Sequence, residues 1–484
     1  MLTPFAPSPG LDSDDTSFSA QGRWSDGNNV RFHNGQPQVV GQYEKVFSDA
    51  LTFPNTLFAF TRSGATNLAI GTQDNGFLIS TNNASPVDRS PASVPTSVGF
   101  WAFAAWGSTL LAVPTGGTLY EQSGTSAATA VAASPDNITT MLVTSQRQVL
   151  AFGCNEEVSG TFNGLCIRGS DLEDYTDWTT TSTNNAFEHI LDGVGVIMGA
   201  ALVGDYVAVW TNTSLYMGQF IGDPGQAYRF DKVDDDCGLI GQRAVTVAGG
   251  AAYWVDNNLN LRLWSPGALV QTVPCPVSRS FNIFSYGVAR NNFVICHVPK
   301  FNEIWICCRG GANSLNIAVS LKDGTWFKSD IPILMMISSD LLYHPSGVAS
   351  STYFSDGIYV YGAECNGAVT AEGPTSWFLQ SSEYYLDNSR RRIMVRGVIP
   401  DFAILSSAND TTNDAAVTLT LTLRDRPQST AVTKTYTIAA HATKKDFRAS
   451  GKIAAVKLSG SSASSNREMR IGKLLFDVVP MGER

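Results

Sequence analysis

The chain has 484 residues, 43% hydrophobic and 15% charged, a balance that excludes both a disordered chain and a membrane-embedded one. Its 42 acidic and 33 basic residues give a net charge of −9. This excludes a surface that grips nucleic acid throughout, because phosphate binding needs concentrated lysine and arginine.

Met1–Ala20 is rich in Pro, Ser and Asp. It carries neither a basic n-region nor an apolar h-region, so no secretory signal is expected. Residues 1–21 read as an extended arm that gains order from a partner or a neighbouring subunit. In residues 22–50, Val30-Arg31-Phe32 and Gln38–Val40 flank Asn34-Gly35, a pair suited to a type I′ hairpin turn. This hairpin is a candidate for closing or flanking the body that follows.

From there apolar, strand-like units recur. Thr56–Thr72, Gly99–Leu119, Met198–Leu215 and Val245–Leu261 each read as strand, polar or glycine turn, strand, turn, strand. Unit starts near Thr52, Ser97, Ile138, Val194, Gly238, Ser285 and Pro332 are spaced roughly 41–56 residues apart, close to the ~40–50 residues of a four-stranded propeller blade. The spacing predicts a β-propeller of six or seven blades over residues 51–367. The third unit is the longest, and its polar excursion Asn155–Gly193 is expected as a loop on one face. Within it, Thr183–Leu191 is a candidate for one short helix. The sixth unit, Val288–Asp330, shows four strands: NNFVICHV, EIWICCR, LNIAVSLK and TWFKSD.

After Asn366 the texture changes. Ala368–Pro374 reads as a linker. Trp377–Leu386, Ile393–Phe402, Val417–Leu423 (VTLTLTL), Thr433–Ile438, Ile453–Leu458 and Leu474–Val479 then alternate like half-buried strands. Residues 368–484 are expected to form an antiparallel, sandwich-like C-terminal domain, making the whole chain all-β. The threonine face of VTLTLTL would be an edge hazard unless an oligomeric interface covered it. No run of about 18 apolar residues exists, so no transmembrane helix is expected.

No constellation points to catalysis. The histidines His33, His189, His297, His344 and His441 lack zinc-like spacing. Cys296 and His297 are adjacent on a strand, where alternation sends them to opposite faces. The eight cysteines, Cys154, Cys166, Cys237, Cys275, Cys296, Cys307, Cys308 and Cys365, form no CxxC pair; they are expected reduced, in a chain assembled in a cytoplasm. The acidic groups Asp171, Glu173, Asp174, Asp177 and Asp231, Asp234, Asp235, Asp236 do not fit a calcium loop, and read as solvated loops or an acidic rim. Ser320–Trp326 (SLKDGTW) approaches a sialidase Asp box, once and with shifted spacing. GxSxG, a Walker loop and a dinucleotide fingerprint are absent, so no enzyme activity, cofactor or metal is expected. The tryptophans in the repeat units are expected to pack between blades; stacking on sugars is the alternative. Basic residues cluster at Arg390, Arg391, Arg392, Arg396 and at Lys444, Lys445, Arg448, Lys452, either as solvated strand faces or as a docking surface for an acidic neighbour.

Three segments carry a resemblance: Gly22–Val46 (GRWSDGNNVRFHNGQPQVVGQYEKV), Phe230–Gly267 with Gly238-Leu239-Ile240-Gly241, and Arg424–Pro480 (RDRPQST through IGKLLFDVVP). Together they resemble the tail nozzle, hub and packaged-DNA stabilisation proteins of short-tailed bacteriophages. The resemblance implies a structural virion protein with a β-propeller and further β domains. It implies assembly in the host cytoplasm as a homo-oligomeric ring, typically a hexamer. Such a ring extends the DNA exit channel below portal and adaptor, retains packaged DNA and docks fibres, spikes or a needle. Duplex DNA would pass transiently, without sequence-specific binding, since an acidic wall repels phosphate. Trp24, Asp26, Arg31, Arg390, Arg391, Arg392, Lys444 and Lys445 are the candidate interface residues. Asp171, Glu173, Asp174, Asp234, Asp235 and Asp236 are the candidate acidic loop or channel residues. The alternatives are a host-glycan-binding, lectin-like propeller, recognisable by stacking aromatics exposed on one face, and a propeller hydrolase with a central cluster of carboxylates and arginines.

Overall fold

The computed structural model describes residues 1–484 apart from 17–18, 75, 95–98, 344–350, 366–372, 374–375, 386–390, 406–415, 427, 440–441, 461–467 and 482–484. Among the described residues, seven four-stranded antiparallel sheets follow one another from Pro54 to Ala363. Their innermost strands are Pro54–Arg62, Trp101–Trp106, Thr140–Val143, Ile197–Val203, Val245–Ala248, Phe293–Val298 and Met335–Ser338. Each packs beside the next and the seventh returns to the first. The fold is a β-propeller of seven blades, numbered here in chain order, with strands A to D from the axis outward.

Local chemistry explains the blades. Strands A to C are rich in β-branched and aromatic residues, which suit a pleated, buried surface. Their tight turns place residues at positive φ, as in the A–B turn of blade 1 (Ser63 φ 50°, Gly64 φ 78°), the geometry of a type I′ hairpin. Aromatic rings bridge neighbouring blades: Phe77 meets Trp101 at 5.1 Å between blades 1 and 2, and Trp210 meets Trp254 at 5.5 Å between blades 4 and 5. Nine of the ten tryptophans are buried, the exception being half-buried Trp106. Cys154, Cys166, Cys237, Cys275, Cys296, Cys307 and Cys308 are free thiols.

The ring closes through Tyr43–Lys45, which forms strand D of blade 7 in the register Tyr361↔Lys45, Gly362↔Glu44, Ala363↔Tyr43. The Tyr43 ring sits edge-on to Phe354 and Tyr361, at 5.1 and 5.0 Å. The hairpin ahead of it, Val30–His33 with Gln36–Val39, forms around Asn34-Gly35 as the sequence predicts. It does not close the propeller, however. It pairs through Gln38 with Arg470 in the C-terminal region.

The β domain is built from both ends of the chain. Leu2–Phe5 pairs antiparallel with Leu474–Asp477, and Ile393–Ile399 and Lys445–Gly451 complete that sheet. A second sheet runs Ser8–Leu11, Arg23–Asn28, Trp377–Ser381, Ile453–Gly460, Ala416–Arg424, Val432–Ala439. A third holds Phe402–Leu405, Glu468–Ile471 and the Val30–Val39 hairpin. The expected free arm of residues 1–21 is therefore corrected. Phe5 and Leu11 are buried, and Phe5 packs on Trp24, Tyr384 and Phe476, so these two apolar residues of the arm find their burial within the same chain.

Two further expectations differ from the structure. Thr183–Leu191 contains the strand Phe187–Ile190, which pairs with Cys166–Gly169 as strand D of blade 3, and the Asn155–Gly193 excursion thus includes strands C and D. The one α-helix among the described residues, α1 (Ser278–Ser285), lies between blades 5 and 6. Asp14 accepts hydrogen bonds from the Ser278 amide (3.1 Å), the Ser278 hydroxyl (2.6 Å) and the Arg279 amide (3.1 Å), satisfying donors that a helix start leaves open. The VTLTLTL strand is interior, flanked by Val432–Ala439 and Ile453–Gly460; the edge falls on Val432–Ala439.

Candidate interaction surfaces and the propeller bore

Trp24, Asp26 and Arg31 lie at the junction of propeller and β domain, not on an outer face. Arg31 is fully buried, with its guanidinium 3.0 Å from Glu303 of blade 6, 2.6 Å from Glu364 of blade 7, and 3.7 Å above the Phe301 ring. Glu303 also accepts from the Trp305 indole at 2.9 Å, and Glu364 from the Gly41 amide at 3.1 Å. Burial pushes the Glu303 carboxyl above its ordinary pKa, against the opposing pull of Arg31. Asp26 pairs with Lys328 at 2.5 Å and Trp24 packs against Phe5. Trp24 and Arg31 are spent inside the chain, which corrects their assignment to a partner interface, whereas Asp26 keeps 44% of its side chain exposed.

The basic candidates stand on the outside of the β domain. Arg391 and Arg392 are exposed, and Arg392 lies 3.6 Å from Asp425. Lys444 pairs with Asp446 at 2.8 Å, and Lys445 sits opposite Val398 at the start of its strand. Arg390 lies outside the described residues. The segment 376–484 holds 16 basic and 10 acidic residues, whereas blades 3 and 4 (138–237) hold 14 acidic and 4 basic ones, with no lysine at all between Lys45 and Lys232. The β domain sits against blades 6 and 7, through Glu303, Lys328 and Glu364. In a seven-membered ring the blade directly opposite is blade 3, with blades 2 and 4 beside it.

The acidic candidates split into two places. In an antiparallel four-stranded blade the A–B and C–D connections share one face of the ring, and the B–C and D–A connections share the other. Asp171, Glu173 and Asp174 lie in the C–D connection of blade 3. Asp234, Asp235 and Asp236 lie where blade 4 crosses to blade 5, on the other face. They do not form one site. Asp171 accepts from the Leu172 and Asn185 amides, Glu173 pairs with Arg147 at 2.9 Å, and hydrogen bonds from Thr176 hold Asp174 below its ordinary pKa. Asp235 is likewise lowered, by Ser214 and Lys232.

Sequence reasoning missed two features. The first is an apolar patch on the D–A face at the blade 3–4 boundary: Val158 is 96% exposed, Val194 79%, Phe162 53%, Ile190 43% and Val196 42%. Gly164 and Val196 lie in contact there, and Glu156, Glu157, Glu188 and Asp192 are its near neighbours in sequence. The only local signal was a run of aliphatic residues set among glycines (GVGVI).

The second is the bore. The A strands enclose a cavity of about 490 Å³, reaching from Thr56, Phe100 and Thr140 at the D–A end to His297, Pro299 and Ser338 at the other. Gln242 and Arg243, from the crossing into blade 5, plug the D–A end. Gln242 donates to the Thr139 carbonyl at 2.9 Å. Arg243 donates to the carbonyls of Asn55 (2.7 Å), Leu334 (3.2 Å) and Asn291 (2.6 Å), and lies 4.0 Å from the Phe100 ring centre. Two residues thus touch blades 1, 2, 3, 6 and 7. Desolvation pushes the Arg243 pKa down to about 9. The Gly238 and Gly241 positions quoted above make this crossing possible: a side chain at Gly238 would strike the Asn212–Thr213 peptide, and one at Gly241 would come 2.5 Å from the Arg290 carbonyl. Cys296 and His297 both line the bore without meeting as a dyad. The thiol faces Ser338 at 3.7 Å and is pushed up to about 12 by burial, while the imidazole is 3.2 Å from Asn302.

No protein-family model matches the chain, and no curated protein matches it. Among solved structures it is similar to YCF48 bound to a D1 peptide (11% identity, covering 65% of this chain and 96% of that one, TM-score 0.40). It is also similar to the β-propeller domain of Cps50 (Swd1) from Myceliophteria thermophila (10%, 67% and 99%, TM-score 0.41). A third similar structure is the computationally designed Ika8 protein (11%, 67% and 100%, TM-score 0.39). At these identities the likeness concerns the fold alone. No helix among the described residues is long and apolar enough to cross a membrane.

Proposed function

We propose that the chain is a structural virion protein: a subunit of the tail nozzle or hub ring of a short-tailed bacteriophage. In this reading it extends the DNA exit channel below portal and adaptor, helps retain packaged DNA, and docks fibres or spikes. The observation that carries it is the charge polarity of the subunit. Acidic blades 3 and 4, with the exposed patch around Val194, lie across the propeller from the basic β domain. A head-to-tail contact that sets the acidic side of one copy against the basic side of the next is heterologous, and such contacts generate rings when the rotation closes. The buried Arg31 cluster supports the same reading, because it fixes the angle between the two bodies that such a ring would need. The glycan-binding alternative would have to use other aromatics than the tryptophans of the repeat units, which are buried apart from half-buried Trp106.

The test is electron microscopy of the full chain mixed with portal and adaptor rings of the same virion. A ring of copies capping the adaptor, with a bore wide enough for duplex DNA, is the expected result. Particles that stay free monomers in that mixture would reject the proposal.

A further inference from the structure

The propeller bore has a use that ring assembly does not require. Its D–A end is stopped by a guanidinium that has no carboxylate partner. Arg243 spends its Nη1 and Nη2 atoms on the carbonyls of Asn55, Leu334 and Asn291, while its buried Nε has no hydrogen-bond partner. A half-buried cation held only by neutral carbonyls favours an anion beside it, and a planar fork favours a carboxylate above a spherical anion. The Arg243 pKa, pushed down by desolvation without any carboxylate to raise it, agrees with that deficit.

The rest of the cavity sets the body of the ligand. One side is an aromatic wall from blades 1 and 2. Half-buried Phe58 and Phe103 stack at 6.4 Å, and Trp101, itself buried between the blades, backs Phe103 at 5.9 Å. Opposite stand small and aliphatic residues, Ala200, Ala201 and Val247. A volume of about 490 Å³ lies within the ~300–1,000 Å³ range of small-molecule sites. Flat apolar surface is what such walls accept.

We propose that the bore binds a small carboxylate with a flat, apolar body, its carboxylate against Arg243 and its ring against Phe103 and Phe58. The probe is 2-naphthoate, titrated into the full chain by calorimetry and by quenching of tryptophan fluorescence, with neutral 2-naphthamide as the comparison. Saturable one-site binding of naphthoate, at least tenfold tighter than naphthamide, is expected. Arg243→Met should weaken naphthoate at least tenfold and leave naphthamide unchanged. Because Arg243 also ties blades together, Ala201→Trp serves as a second variant: it fills the bore from blade 4 with Arg243 untouched, and should abolish naphthoate binding in a folded protein. Absence of binding, equal affinity for acid and amide, or full binding by Ala201→Trp would each overturn the proposal. None of these results depends on whether the chain forms a ring.

Discussion

Arg31 and Glu364 stand 333 positions apart in the chain and 2.6 Å apart in the fold. With Glu303 they make an ion cluster that joins the β domain to two blades at once. Removing one member of a buried cluster leaves uncompensated charge, which costs about 3–5 kcal/mol. Arg31→Met is expected to lower unfolding stability by that order in urea denaturation and to admit protease to the 36–54 region, where ring closure begins. A variant within about 0.5 kcal/mol of the parent, the ordinary range of surface substitutions, would show the cluster to be dispensable.

The crossing that delivers Arg243 predicts two intolerant glycines. Gly238→Ala and Gly241→Ala each force a methyl group onto backbone, and overpacking of this kind costs roughly 1–3 kcal/mol or more. Both should lower the melting temperature, whereas Gly267→Ala, with open space around it but φ 82°, carries only the conformational cost. Thermal melts of the three variants check the order.

His189 gives a pH dependence. Its imidazole is desolvated beside Phe230, with ring centres 5.1 Å apart, and its pKa is lowered from 6.5. Below 6.5 the unfolded chain therefore binds more protons than the folded one, so this group's contribution is present above 6.5 and lost as pH falls through the folded value. His189→Gln should flatten that part of the stability–pH curve. An unchanged slope would mean the imidazole titrates freely in the fold.

Assembly should depend on charge and on the apolar patch together. Val194→Asp and Lys444→Glu are each expected to block ring formation on the adaptor while leaving the monomer's melting unchanged, as exposed sites allow. Raising salt should weaken wild-type assembly, because exposed charges are screened beyond about 8 Å at 0.15 M ionic strength. Light scattering of the mixtures reads both effects; assembly indifferent to all three changes would place the subunit contact elsewhere.

The blades were legible because their chemistry is local. Each predicted unit start lies a few residues ahead of an innermost strand, with the widest offsets at Gly238 and Ser285, where the chain is crossing between blades and has no alternating pattern to read. The Asn34-Gly35 turn was equally legible, since two residues decide it. Its destination was not: a hairpin's partner 430 or so residues away is a question of loop closure, on which local propensity is silent. The same limit misplaced Trp24 and Arg31, whose polarity and size suited either an outer contact or an inner one. Arg243 escaped notice because a single arginine between glycines and an apolar strand has no motif; its importance comes from three carbonyls contributed by three other blades.

Leu2–Phe5 pairs antiparallel with Leu474–Asp477, and this stitch orders events in time. Residues are made from the N-terminus onward, at ~5–20 per second. The propeller has everything it needs once Ala363 has emerged, since strand D of its last blade was made first. The strands at 2–11 and 23–39 must wait, unpaired, until the last stretch of the chain arrives. A prematurely ended chain would thus hold a closed propeller trailing open strand edges, the kind of surface that aggregates.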